Sequence, residues 1–175
     1  MGKPSEQELD SAFQEAKRLI WQEQDQHHLA KSLFSLNDRF EELSKVYSAC
    51  DTFIRSGHST TAHRKIISAI NSYRNLFTGD NADFIVNVSD EELNQAIVEA
   101  GRLRESSSDS SYIAKTILNL NYLTRQLETV YRAAERYLHS GMSTTELDTL
   151  EKAIKKYQAQ ENRTSGADVS AFGVF

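Results

Sequence analysis

Apolar residues recur every three or four positions through most of the chain, which is the period of an amphipathic helix. The longest series is Leu29, Leu33, Leu36, Phe40, Leu43, Tyr47, Cys50 and Ile54, spaced four, three, four, three throughout. That is the heptad seam of a coiled-coil-like helix. Val46 and Phe53 widen the stripe beyond a two-stranded seam, so a bundle core is expected rather than an isolated coiled coil. A second series, Ile113, Ile117, Leu120, Thr124, Leu127, Tyr131, Ala134 and Leu138, has the same spacing, widened by Val130 and Tyr137.

Shorter helices flank each long one. Ser5 with Glu8, and Ser89 with Glu92, are capping boxes, in which serine and glutamate each satisfy an unpaired backbone N–H at a helix start. Leu9, Phe13, Ala16 and Ile20 then share a face, as do Leu93, Ala96, Ile97 and Ala100. These helices are expected to break near Gln24 and at "SSSDSS", with Asp25 and Asp109 as N-caps for the long helices. "SGHSTT" at 56–61 and "SGMSTT" at 140–145 mark the next corner, where Gly57 and Gly141 can adopt the left-handed conformation that ends a helix. Ser143 with Glu146 reads as a further capping box, half of which is lost in the first copy, where Ala62 stands. The third helices carry Ile66, Ile67, Ala69, Ile70, Tyr73 and Phe77, then Leu147, Leu150, Ala153, Ile154 and Tyr157.

The same elements appear twice because the sequence aligns with itself. Residues 5–77 match 89–161 without a gap at an offset of 84, with 25 of 73 pairs identical. The expected organisation is an all-α, internally duplicated chain of two pseudo-symmetric three-helix units, with six main helices and a long central helix in each unit. The first repeat covers 1–77, an extended linker 78–88, the second repeat 89–161 and a C-terminal tail 162–175. Phe84, Ile85, Val86 and Val88 in the linker are expected to pack along a groove.

Composition suits this picture. One proline and seven glycines in 175 residues leave long helices unbroken. Apolar residues at 39% and charged residues at 26% fit a soluble globular protein. A net charge of −5 argues against broad nucleic-acid binding, which needs a basic surface. The single Cys50 forms no intrachain disulfide and no cysteine-rich zinc site. It lies on the apolar seam, where a small core residue is expected rather than a nucleophile. No membrane span is visible, "MGKPSEQELD" lacks a signal-peptide core, and a cytoplasmic setting is the expectation.

Candidate chemistry is sparse. No phosphate loop, nucleophile elbow or His-Glu-x-x-His appears, so no catalytic residue, metal site or cofactor is assigned. His58 and His63 are five apart and straddle a helix start, while His27 and His28 are adjacent and do not converge on a helix. Arg132 and His139 are separated by six residues, a spacing that resembles the Arg-x(4–6)-His motif of HEPN ribonucleases. The resemblance implies RNA cleavage with this pair acting on a ribose 2′-hydroxyl. The polar residue usual after the arginine is here Ala133, and the first repeat has Ser48 and Arg55 at the matching places. A local basic patch of Arg132, Arg136, Lys152, Lys155 and Lys156 is a second route to nucleic acid or nucleotide. Glu15–Arg18 and Glu99–Arg102, Lys31 and Lys115, and Asn37 and Asn121 are shared by both repeats. They read as buried or half-buried ion pairs and a carboxamide bonding a neighbouring helix.

The leading expectation is a non-enzymatic protein-binding helical module, an adaptor, inhibitor or regulator of a partner protein. A wide apolar stripe also leaves room for a homo-oligomer. Candidate binding residues are Trp21, which lies off its helix stripe, with His27 and His28; Arg132, Arg136 and His139; and Phe172 and Phe175 in the apolar tail "AFGVF".

Overall fold

A computed structural model describes residues 3–78 and 88–166, and the regular structure among them is entirely helical. The elements are α1 (Glu6–Trp21), α2 (Leu29–Arg55), α3 (Thr60–Thr78), α4 (Asp90–Glu105), α5 (Ile113–His139) and α6 (Thr144–Gly166). Both expected long helices have 27 residues, ~40 Å of rise. Val88 is buried, while Phe84, Ile85, Val86, Phe172 and Phe175 lie outside the described residues.

Helix ends follow local chemistry. Both capping boxes form, with Ser5 and Ser89 accepting from the backbone N–H of Glu8 and Glu92 and each glutamate accepting in return. α1 ends with Glu23 at φ 53°, where Gln24 N–H donates to Leu19 O at 2.9 Å. α4 ends likewise with Ser107 at φ 54° and Ser108 N–H donating to Leu103 O. This is the Schellman closure usually built on glycine. It appears with glycine at the end of α2, where Gly57 has φ 65° and His58 N–H donates to Phe53 O.

Asp25 and Asp109 act from further upstream than an N-cap. Each carboxylate accepts from two backbone N–H groups five and six residues on, Ala30 and Lys31 or Ala114 and Lys115. The residues immediately before α2 and α5, His28 and Tyr112, take positive φ. That bend lets the aspartates reach over the helix start. Only half of the Ser143–Glu146 box forms. Glu146 N–H donates to Ser143 Oγ, but Ser143 N–H donates to Ser140 Oγ instead of to the glutamate.

The chain forms two compact units, with boundaries inside α2 at Phe40–Glu41, at Phe77–Thr78 and inside α5 at Leu123–Thr124. The α1/α4 unit comprises, among the described residues, 3–40, Thr78 and 88–123. Its core centres on alanine: Ala12, Ala16, Ala30, Ala96, Ala100 and Ala114 are fully buried together with Leu33 and Ile117. Ile20 is 39% exposed, contrary to expectation. The stripe of α1 is centred on Ala12 and Ala16, and at ~100° per residue Ile20 sits at its margin.

The α3/α6 unit comprises, among the described residues, 41–77 and 124–166. Leu43, Val46, Cys50, Phe53, Ile66, Ile70, Leu127, Val130, Ala134, Leu150 and Ile154 are buried. Tyrosine pairs seat its outer helices, with Tyr73 of α3 against Tyr131 of α5 and Tyr157 of α6 against Tyr47 of α2, each at 4.8 Å between ring centroids. Ile67 and Phe77, expected in the core, are exposed.

Candidate binding surfaces

Most of the polar residues that recur at the 84-residue offset are occupied by contacts that hold the fold. Lys115 Nζ of α5 donates to both carboxylate oxygens of Glu8 on α1, at 2.7 and 2.8 Å. That contact is the first cause of a Glu8 pKa below the usual carboxylate range. At the matching places, Lys31 of α2 adds its charge to the capping and His28 contacts that lower Glu92. In the other unit, Arg74 of α3 donates to Glu135 of α5 at 2.6 and 3.1 Å, and Tyr131 donates to the same carboxylate. The matching positions on α6 and α2 hold Gln158, which donates to Tyr47 Oη at 3.2 Å and Asp51 at 3.0 Å.

Glu15–Arg18 and Glu99–Arg102 are pairs with a half-buried glutamate. Each is a two-contact pair within one helix, at 2.6 and 2.8 Å, with an exposed guanidinium. The three-residue spacing lets the partners meet on the helix surface without a neighbouring helix.

Trp21 is the most exposed large apolar residue described, at 86%. It lies nine positions from Ala12, which places it ~180° from the core face of α1. With Lys17, Arg18 and Gln22 it lines a shallow depression of about 330 Å³. Arg18 donates to both Glu15 and Gln22, which fixes the guanidinium beside the indole.

His27 and His28 separate as their adjacency requires. His27 is exposed and lines a second depression of about 420 Å³ with Asn94, Gln95, Val98 and Glu99 of α4. His28 faces α4 instead, its Nδ1 buried 3.3 Å from Glu92 Oε1 without hydrogen-bond geometry. Val98 is 74% exposed and was missed by the sequence reading. Its displacement from the Ala96–Ala100 face was the available signal.

Arg132, Arg136 and His139 belong to the α3/α6 unit, on the exposed side of α5. His139 Nδ1 lies 2.7 Å from Glu135 O, so that nitrogen carries the proton and donates. His58 rests against the Phe53 ring at 5.0 Å, and the half-buried His63 packs between Phe53 and Tyr137. Among the described residues, no three His, Cys, Asp or Glu side chains converge as metal ligands, and no helix is long and apolar enough to cross a membrane. Burial pushes the Cys50 thiol up to about 12, which keeps it un-ionised.

No known protein family, curated protein or solved structure matches the chain.

Proposed function

We propose that the chain is a non-enzymatic protein-binding helical module that acts in the cytoplasm as an adaptor, inhibitor or regulator. The observation that carries this reading is Trp21: an indole 86% exposed, set in a depression beside a guanidinium held in place by two partners. Tryptophan and arginine are enriched among residues that dominate protein interfaces. The exposed Val98 beside His27 adds a second apolar point on the same unit.

We also propose that the frame arose by internal duplication into two pseudo-symmetric repeats. The matched helix ends and the matched contacts of Tyr47 and Tyr131 support this. An experimental structure in which 5–77 cannot be superposed on 89–161 overturns it.

The functional test is affinity purification of the full chain from its native host, with mass spectrometry, beside Trp21→Ala. A stoichiometric protein partner that Trp21→Ala loses, with helical content unchanged, supports the reading. Recovery of no stoichiometric partner by the wild-type chain refutes it.

A further inference from the structure

The two long helices differ most on their exposed sides. In the α3/α6 unit, α5 exposes Arg125, Thr129, Arg132, Arg136 and His139. Steps of four, three, four and three keep these residues on one stripe, ~80° wide and ~21 Å long. None of the three arginines makes an ion pair or a side-chain hydrogen bond among the described residues, and the stripe carries no carboxylate. Met142, 54% exposed, follows His139 just beyond the helix end.

The matching stripe of α2 reads Glu41, Lys45, Ser48, Thr52 and Arg55. There the cations are already neutralised on their own helix, Lys45 by Glu42 and Arg55 by Asp51. One face of a repeated frame therefore presents unpaired positive charge and its counterpart does not.

Resting on the protein-binding reading above, we propose that the outer face of α5 from Arg125 to His139 docks an acidic helical segment of a partner protein. Charge complementarity carries the choice of occupant. A row of guanidiniums matches a row of carboxylates, which arginine can grip with two parallel hydrogen bonds. A helix with acidic residues at the same four-three spacing presents carboxylates at the same rise per residue as α5. A polynucleotide fits less well. Duplex DNA carries a charge every ~1.7 Å along its axis, and the chain meeting it has a net charge of −5. The half-buried Glu128 and Glu135 flank the arginine row on α5 and repel any anion that leaves it, carboxylate or phosphate alike.

The test uses fluorescence anisotropy with the full chain and three labelled probes. One is a helical peptide with glutamates at four-three spacing, one has the same composition with its glutamates spread around the helix, and one is a single-stranded RNA oligonucleotide. Expected is salt-sensitive binding of the first peptide, weakened more than about tenfold by Arg132→Glu/Arg136→Glu and less than about twofold by Lys45→Glu/Arg55→Glu. Circular dichroism melts verify that both variants stay folded. Equal weakening by the two variants, equal binding of the two peptides, no binding of the first peptide, or tighter binding of RNA each overturns the proposal. If it fails while wild type and Arg132→Glu/Arg136→Glu recover the same stoichiometric native partner, the protein-binding reading stands without this surface. If wild type recovers no partner, that reading falls separately.

Discussion

The α1/α4 unit and the α3/α6 unit use the same two long helices and pack them differently. In the first, six fully buried alanines line the helix contacts, and small residues allow backbones to approach closely. In the second, Phe53, Tyr73, Tyr137 and Tyr157 are buried, and outer helices are seated by tyrosine rings and by Arg74 or Gln158. The lesson is that one heptad seam serves two cross-sections. The partner helices decide which: α1 and α4 bring alanine, α3 and α6 bring isoleucine, leucine and tyrosine.

The largest break of this contrast should come from Phe53→Ala. Phe53 is 1% exposed and packs against His58, His63 and Tyr137, so the cavity should cost ~3–5 kcal/mol in denaturant unfolding. Cys50, buried in the same unit and un-ionised at neutral pH, gives an independent readout. Thiol labelling should be negligible in the wild-type chain and accelerate in Phe53→Ala.

Ala16→Leu and Ala100→Leu test the opposite liability of the alanine-lined unit. Both sites are at 0% exposure, and overfilling them should cost ~1–3 kcal/mol, although each adds apolar volume. Melting temperatures that rise in both variants would show that the α1/α4 helices are not closely apposed.

Helix ends give a smaller pair of opposite effects. Gly57→Ala meets nothing within 4 Å at φ 65°, so its cost, ~1–2 kcal/mol, is that of a left-handed backbone alone. Glu23→Gly removes the same burden at φ 53° and should gain up to ~1 kcal/mol in thermal unfolding.

The smallest effect concerns pH. The Lys115 ammonium beside Glu8 holds its carboxyl below the ordinary glutamate value, so the unfolded chain binds that proton more readily than the folded one. Its contribution is fully present above the ordinary glutamate range and is lost as pH falls through the folded value. The site is partly solvated, so the amount should stay below ~1 kcal/mol. Glu8→Gln should lower stability at neutral pH by that amount in denaturant unfolding, and in acid titrations followed by circular dichroism it should flatten this part of the acid limb. An unchanged acid limb would show that the pair contributes nothing to stability.

Six helices, their approximate ends and the buried seams of α2 and α5 were legible in the sequence, because periodicity and capping are local rules that adjacent residues enforce. Leu33, Leu36, Val46 and Phe53 are buried where the spacing placed them. The candidate surface was legible only in part. Trp21 stood out by lying off its stripe, but Lys17, Arg18 and Gln22 gain meaning only once the chain leaves α1 and Glu15 and Gln22 fix the guanidinium. Tertiary structure alone decided that Lys115 meets Glu8 and that Arg74 meets Glu135, pairs 107 and 61 residues apart. It also decided that each compact unit draws helices from both halves of the chain. A heptad pattern states which face of a helix must leave water, and hydrophobic burial is satisfied by any partner of suitable shape. Which helix covers that face depends on side-chain volumes and polar contacts between distant segments, which meet only when the chain is folded.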